Sequence, residues 1–106
     1  MKVYNLDDMR FGWFIGNFEP SLLKNEFIEV GIKRFNRGDK ELTHHQIVAT
    51  EWTCVVFGKV RIGDHILMNG QILEILPEEN ADFEALEDSI VVVVKSPSIP
   101  SDKIIV

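Results

Sequence analysis

The sequence predicts an all-β domain in which many short antiparallel strands close into a barrel or sandwich. Three observations lead to this prediction: apolar and polar residues alternate with a period of two, turn signals recur at short intervals, and no long helical pattern interrupts them. A parallel sheet with crossover connections would need such helices. We therefore expect a closed all-β architecture with little helix.

The clearest strands lie in the middle and the C-terminal half of the chain. Residues 27–35 read FIEVGIKRF, in which apolar residues of one parity alternate with Glu, Gly and Lys of the other, as in a half-buried strand. Residues 52–57 (WTCVVF) and 90–95 (IVVVVK) are β-branched and aromatic runs, which favour strands. Residues 72–76 follow an Asn-Gly turn signal and end at Pro77, which removes a backbone donor.

A tight hairpin and an irregular segment complete the strand pattern. Gly63-Asp64 separates residues 60–62 from residues 65–68, and its glycine can take the positive φ of a two-residue turn. Residues 10–18 (RFGWFIGNF) are rich in aromatics with two glycines between them, which indicates a strand or a strand with a bulge. Two further segments hint at a helical turn, but neither is long enough for a stable helix in water: 20–26 and 83–88.

Size, charge and cysteine content exclude several classes of protein. The 106 residues fit a single domain, 1–106, with one core. Its 17 acidic and 11 basic residues give a net charge of −6, which repels nucleic acids and anionic membrane surfaces. We expect a cytoplasmic protein, because no apolar run approaches the roughly 20 residues of a membrane span and no signal peptide is evident. The single cysteine, Cys54, can form neither an internal disulfide nor a zinc cluster, and a small core hydrophobe is its simplest role.

The stretch from Gly38 to Gly58, GDKELTHHQIVATEWTCVVFG, resembles the first motif of the cupin family. That motif runs glycine, five residues, His-x-His, three or four residues, Glu, six residues, glycine, and this spacing is met throughout. His44 stands at the first histidine and Glu51 at the glutamate, whereas Gln46 replaces the second histidine. The resemblance implies a cupin-type double-stranded β-helix, a jelly-roll barrel whose interior holds the metal ligands near one open end.

The second cupin motif is matched only in outline. It reads glycine, five residues, Pro-x-Gly, two residues, His, and counting from Gly70 without a gap puts Ala81 at the histidine position. A one-residue gap would put Asp82 there instead. Family members often carry an aromatic residue two places beyond the histidine, and Phe83 lies two beyond Ala81, which favours the ungapped count. The resemblance then leaves the last metal ligand without a counterpart.

The altered motifs predict a pocket whose metal site is weakened or lost. Period-two alternation puts His44 and Gln46 on one face of a strand, with His45 pointing away. A mononuclear cupin site normally has three imidazoles and one carboxylate, whereas glutamine is a weak neutral donor and alanine is none. We therefore expect no resident cofactor beyond a weakly bound divalent metal, held if at all by His44, Gln46 and Glu51.

Three functional interpretations of this trio stay open at the level of sequence. His44, Gln46 and Glu51 could orient a small polar ligand on an otherwise apolar wall, which is the leading hypothesis. They could instead only satisfy one another by hydrogen bonds. The alternative function is a metal-dependent cupin enzyme of the isomerase, epimerase or dioxygenase type, with His44 and Glu51 as an acid/base pair acting on a small polar metabolite.

The aromatic N-terminal segment also predicts self-association. Trp13, Phe14 and Phe18, together with Phe11 and Trp52, could pack the core or form an exposed patch on which a second copy docks. The resemblance adds that small cupins often dimerise through such surfaces. We expect a homodimer that binds a small polar molecule and neither nucleic acid nor membrane.

Overall fold

The computed structural model describes all 106 residues, which form ten strands, one short 3₁₀ turn (Leu6–Asp8) and no helix that could span a bilayer. The strands are β1 (Trp13–Ile15), β2 (Glu29–Phe35), β3 (Lys40–Gln46), β4 (Thr50–Phe57), β5 (Lys59–Ile62), β6 (His65–Met68), β7 (Ile72–Ile75), β8 (Ala81–Ala85), β9 (Ser89–Ser96) and β10 (Lys103–Ile105). One five-stranded sheet has the order β1-β2-β9-β4-β7 and the other β10-β3-β8-β5-β6, and all pairings are antiparallel. The predicted all-β architecture with little helix is therefore confirmed.

The apolar core joins the inner faces of the two sheets. Val91 and Val93 of the central strand β9 pack with residues of the opposite sheet, among them Ile62 and Phe83. The rings of Phe35 and Phe83 lie 4.3 Å apart between centroids and close the core across the two sheets. Because inward residues alternate along a strand, the position after Val93 on the inner face of β9 is a lysine, so the packed core gives way there to a polar region.

In β2 the residues Glu29 and Lys33 and the glycine between them face the interior, whereas the valine and the isoleucine do not. Glu29, Gly31 and Lys33 are in register with the inward residues of β9, and Gly31 is buried. The alternation correctly predicts a half-buried strand, but it does not reveal that the charged residues lie inside. Val30 and Ile32 instead stand on the outer face, next to the outward valines of β9. This arrangement is accommodated because β2 borders a cavity along part of its length.

Trp13 lies against Gly31 on the inner side of the sheet. The two residues are Cα partners, and a Cβ on Gly31 would come within 2.7 Å of Cε3 of the indole. The pairing register of β1 with β2 shifts between Trp13 and Ile15, which marks a bulge. Of the two forms predicted for this segment, a strand or a strand with a bulge, the structure shows the second. Glycine at position 31 is thus required by the close approach of the indole ring.

The two segments with hints of helix are not helical. Residues 20–26 contain no helix, and strand β8 (Ala81–Ala85) overlaps the start of the segment 83–88, so the expectation that neither segment forms a stable helix agrees with the structure. In β8 the buried Phe83 alternates with outward carboxylates that contact Arg61, whose guanidinium lies 2.8 Å from Asp82 and 3.6 Å from Glu84. Pairing with β3 and β5 on both sides outweighs the weak local preference for a turn.

Asp102 ties the end of the chain to the turn between β3 and β4. Its side chain is only 6% exposed and accepts hydrogen bonds from the backbone N–H groups of Val48 at 3.0 Å and Ala49 at 2.9 Å. Its backbone carbonyl accepts a further bond from Ile47 at 3.0 Å. These bonds fix β10 beside β3 and so hold one wall of the barrel in place.

We predict that Asp102→Ala lowers the free energy of unfolding by about 2 to 3 kcal/mol, because two backbone N–H groups lose a charged acceptor whose side chain is buried. Urea denaturation monitored by circular dichroism measures the change. The matched control is Asp64→Ala, at the exposed tip of the β5–β6 hairpin, which we expect to stay within about 0.5 kcal/mol of wild type. Equal effects of the two substitutions would contradict the role given to Asp102.

Candidate functional site

A cavity of about 420 Å³ opens between the two sheets, and we call it the inner cavity. Its wall is part apolar and part charged, and its volume lies in the range of small-molecule sites. The apolar side chains that line it include Trp13, Phe35, Ile62, Phe83, Val91 and Val93. The charged or titratable ones include Lys33, Glu41, His44, Glu51, Lys95 and Lys103.

A row of charges crosses the inner face of the first sheet. Glu29, Lys95 and Glu51 are Cα partners on the adjacent strands β2, β9 and β4, so their side chains project from the same face. Lys95 Nζ lies 3.8 Å from Glu51 Oε1, and the two side chains are only 13% and 14% exposed. The other oxygen, Oε2, accepts a 3.0 Å hydrogen bond from the Thr53 hydroxyl. Both oxygens of Glu51 are therefore engaged within the protein.

Glu29 lies at the other end of this row, where its carboxyl is partly buried. Burial raises the pKa of its carboxyl above the usual value, and the positive charge of Lys95 opposes that rise without cancelling it. The Ser98 hydroxyl donates a 3.1 Å hydrogen bond to Glu29 Oε1, while the backbone N–H of Asn17 donates to the same hydroxyl at 2.8 Å. Lys95 thus lies between two carboxylates.

Trp13 presents its ring to two ammonium groups. Lys33 Nζ lies 4.4 Å and Lys95 Nζ 5.0 Å from the ring centroid, both within the range of cation–π attraction. Lys33 also donates a hydrogen bond to the backbone carbonyl of Phe11. Burial lowers the pKa of the Lys33 amine to about 8, with partial compensation from Glu41.

A β-bulge brings Glu41 and His44 to the same face of β3. Glu41 pairs with Phe83 and His44 with Ala81, so three steps along β3 match two steps along β8. The extra residue lets both side chains line the inner cavity, although strict alternation would separate them. Glu41 also faces Lys103 of β10, with Oε2 at 3.7 Å from Nζ.

The hydrogen bond of His44 fixes its neutral tautomer. Nδ1 lies 2.9 Å from the backbone carbonyl of Leu42. Because a carbonyl oxygen can only accept, Nδ1 carries the hydrogen, and Nε2 of the neutral ring is left as a proton acceptor. His44 can therefore act as a base or as a metal ligand through Nε2.

The structure brings two members of the sequence-predicted trio together and sets the third apart. His44 and Glu51 line the inner cavity. Gln46, 5% exposed, lines a neighbouring cavity of about 190 Å³, which we call the side cavity. Lys95 and Lys103 line both cavities and so form the partition between them.

Ala81 and His45, the other two residues that the cupin motifs drew attention to, differ in their surroundings. Ala81 lines the inner cavity directly beside His44, its Cα partner on β8. His45 is turned to Asn80, with its Nδ1 2.9 Å from the amide oxygen, and does not line the inner cavity. Ala81 therefore marks a position where a longer side chain would enter the cavity.

The side chains of the inner cavity do not fit a transition-metal centre. No three His, Cys, Asp or Glu side chains converge in a way that could hold an ion. His44 offers one imidazole nitrogen, Ala81 beside it offers no donor, and the Glu51 carboxylate is already paired with an ammonium and a hydroxyl. A site for a divalent transition ion normally provides three or four such donors.

Sequence patterns did not predict that most of the charged residues would line the inner cavity. Lys33 falls on the parity of β2 that appeared solvent-facing, and Glu41 is brought inside only by the bulge. Lys95 ends an apolar run, which is the usual place for an exposed lysine, and Lys103 belongs to a terminal strand without a clear pattern. One signal was available: Glu29, Gly31 and Lys33 share a parity, and a glycine in mid-strand often marks a close approach.

Comparison with known proteins identifies the fold. No protein-family model and no curated protein matches the chain. KdgF from Halomonas sp. superposes with a TM-score of 0.66 and 21% identity over 71% of this chain and 74% of that protein. An uncharacterised Klebsiella pneumoniae protein with a double-stranded β-helix domain gives a TM-score of 0.72 and 16% identity, covering 98% of this chain and 90% of the other.

A third structure with the same fold contains a metal. Bacterial pirin YhhW from Escherichia coli, in complex with nickel(II), superposes with a TM-score of 0.67 and 23% identity over 82% of this chain, which spans 39% of the pirin. Together with an RmlC-like cupin from Shewanella frigidimarina, these similarities show that the chain is a small domain of the cupin, or double-stranded β-helix, fold. The fold prediction is confirmed, while identities this low carry nothing about activity.

We predict that Glu29→Gln raises the free energy of unfolding at pH 7. The pKa of Glu29 is raised in the folded state, so wild type loses stability as pH rises through the unfolded and then the folded pKa. The amide removes this loss and keeps an acceptor for the Ser98 hydroxyl. Urea denaturation at pH 7 and below pH 4 should therefore show a stabilised variant at the higher pH and convergence at the lower.

The control for this experiment is Glu87→Gln, an exposed position that should show no such pH-dependent difference. A wild type more stable than Glu29→Gln at pH 7 would mean that the attraction to Lys95 outweighs the desolvation of Glu29, contrary to the balance described above.

Proposed function

We propose that the domain binds a small polar molecule in the inner cavity and does so without a metal ion. The observation that carries the proposal is the ion pair of Lys95 with Glu51, the residue at the glutamate position of the first cupin motif. The ammonium supplies to this carboxylate the positive charge that a divalent ion would otherwise supply. A metal ion bound to Glu51 would have to displace Lys95 or tolerate its repulsion.

The wall of the inner cavity suits an amphipathic ligand. Phe35 and Phe83 form an apolar wall, while the charged side chains and Nε2 of His44 provide polar contacts. Ligand sites in proteins generally combine a largely apolar lining with a few placed polar groups. The charged side chains are held by ion pairs and hydrogen bonds within the protein, so the site is preorganised before a ligand binds.

Acid/base catalysis is the second candidate function. The hydrogen bond from Nδ1 of His44 to the Leu42 carbonyl leaves Nε2 as an acceptor in a residue that lines the cavity, which is the arrangement a general base requires. In this alternative the bound molecule is chemically changed, and His44 transfers the proton. Binding alone and catalysis therefore differ in the fate of the ligand.

We predict that chelator-treated protein binds at least one compound from a panel of small hydroxy acids, sugar acids and polar aromatics, detected as a rise in melting temperature. Ala81→Leu should abolish the rise, because the longer side chain enters the inner cavity beside His44. Lys40→Leu, an exposed change on the same sheet, is the matched control and should bind as wild type does.

Two outcomes of this experiment would change the assignment. If compounds stabilise the protein only after nickel, manganese or zinc is restored, the metal-free proposal is wrong. If a bound compound is converted and His44→Gln abolishes the conversion while binding persists, the domain is an enzyme with His44 as its base.

We further propose that the domain forms a homodimer through the outer face of the first sheet. Val30, Val94 and Trp52 lie in register on that face, and the next row includes Val92 and Ile72. Ile72 is 63% exposed, so part of this apolar surface is open in the monomer. An apolar patch of this kind can pair with its own copy about a two-fold axis. Trp13, from the segment that motivated the dimer prediction, faces the inner cavity instead.

We predict that light scattering at micromolar concentration gives twice the chain mass of 12.1 kDa. Ile72→Lys should yield monomers, because a charged side chain would have to lose its hydration in the contact. Ile66→Lys, at a similarly exposed position of the other sheet, should leave the dimer intact. A wild-type mass of 12.1 kDa would contradict the dimer.

The cytoplasmic location stays a prediction.

A further inference from the structure

Three lysines line the inner cavity, and only two of them have a carboxylate partner. Lys95 pairs with Glu51 at 3.8 Å and Lys103 with Glu41 at 3.7 Å. Lys33 belongs to none of the salt bridges of the chain. Its ammonium has the ring of Trp13 and the carbonyl of Phe11 as partners, but no carboxylate lies within salt-bridge distance of it.

Lys33 is also partly desolvated. Burial lowers the pKa of its amine to about 8, and the charges that face it come from several strands. Glu29 on β2 and Glu41 on β3 favour the charged form, whereas Lys95 on β9 and Lys103 on β10 oppose it. An anion beside Lys33 would pair with the one cavity ammonium that has no carboxylate within salt-bridge distance, and it would gain a charge-assisted hydrogen bond to a partly buried amine.

An apolar surface adjoins this ammonium. Phe35 is two residues from Lys33 on the same face of β2, and its ring packs directly against that of Phe83 from the opposite sheet, with centroids 4.3 Å apart. Val91, the Cα partner of Lys33, adds to this surface. A ligand whose anionic group reached Lys33 would therefore place its remaining atoms against aromatic and aliphatic side chains.

We propose that the ligand of the inner cavity is a carboxylate with an apolar body, whose carboxylate forms an ion pair with Lys33 and whose body packs on Phe35 and Phe83. This inference rests on the proposed function, because it names the class of ligand for the same site. It assigns Lys33 as the residue that distinguishes an acid from a neutral molecule of the same shape.

The test uses Trp13 as a reporter, since its ring centroid is 4.4 Å from the amine that would meet the ligand. Trp52 is the other tryptophan of the chain, and its side chain bonds to Glu74 on the outer face, so a Trp52→Phe background isolates the signal. The probes are 3-phenylpropionate and 3-phenylpropanamide, which have the same shape and differ in charge. Both are titrated into chelator-treated protein, with calorimetry as a second measurement.

At pH 7 we expect the acid to bind about tenfold more tightly than the amide, as one charge-assisted hydrogen bond would give. Lys33→Met should reduce the affinity for the acid to that for the amide and leave the amide unchanged. Lys40→Met, at an exposed position, should change neither. Because Lys33 loses its proton with a pKa of about 8, raising the pH to 9.5 should weaken binding of the acid to wild type roughly tenfold.

The outcomes separate this inference from the proposed function. Equal affinities of the two probes, unaffected by Lys33→Met, would overturn the carboxylate assignment while leaving the cavity as a binding site. No binding of either probe would overturn the carboxylate inference, and the broader metabolite panel then decides the proposed function by itself. If Lys33→Met does not fold, the pH dependence of wild type decides: a loss of acid binding between pH 7 and pH 9.5 supports the inference, and pH-independent binding contradicts it.

Discussion

The ion pair between Lys95 and Glu51 is the interaction on which the character of the cavity depends. Two opposite charges on neighbouring strands, each less than 15% exposed, cost desolvation energy that a packed apolar pair would not. The cost is reduced because Thr53 donates to Glu51 and Trp13 offers its ring to Lys95. With this pair in place the interior next to Val93 stays polar, and the inner cavity stays open above the core.

Trp13 and Gly31 give the charged region its shape. The indole ring lies on the bare backbone of Gly31, and from there it contacts the ammonium groups of both Lys33 and Lys95. A side chain at position 31 would push the ring toward those amines and narrow the cavity. The short strand β1 thus contributes one aromatic surface that organises two of the three cavity lysines.

The sequence was sufficient for the architecture because alternation and turn signals are local. Gly63-Asp64 marks the β5–β6 hairpin, and the apolar run that begins at Ile90 marks β9, the central strand of its sheet. The same local signals failed for β8, whose strand depends on partners at both edges. The first cupin motif predicted that His44, Gln46 and Glu51 share one pocket. His44 and Glu51 line the inner cavity, whereas Gln46 lines the side cavity.

The charged side chains that line the two cavities could not be predicted from the sequence, because their positions depend on the fold and not on local patterns. Glu41 enters the cavity through a bulge, and a bulge changes the parity of every residue beyond it. Glu29 and Lys33 face inward because β2 borders a cavity, whereas alternation alone assumes that the apolar parity is buried. Lys103 comes from a strand that reaches the site from the far end of the chain, a long-range relation that no local pattern encodes.

In the proposed function, the ammonium group of Lys95 holds the carboxylate of Glu51, at the glutamate position of the first cupin motif, in place of a metal. A crystal soaked in nickel chloride, with anomalous differences measured at the nickel absorption edge, tests it most directly. We predict no anomalous peak at Glu51 and a Lys95 amine that stays within salt-bridge distance of its carboxylate. An anomalous peak bound by both His44 and Glu51, with Lys95 turned away, would contradict it.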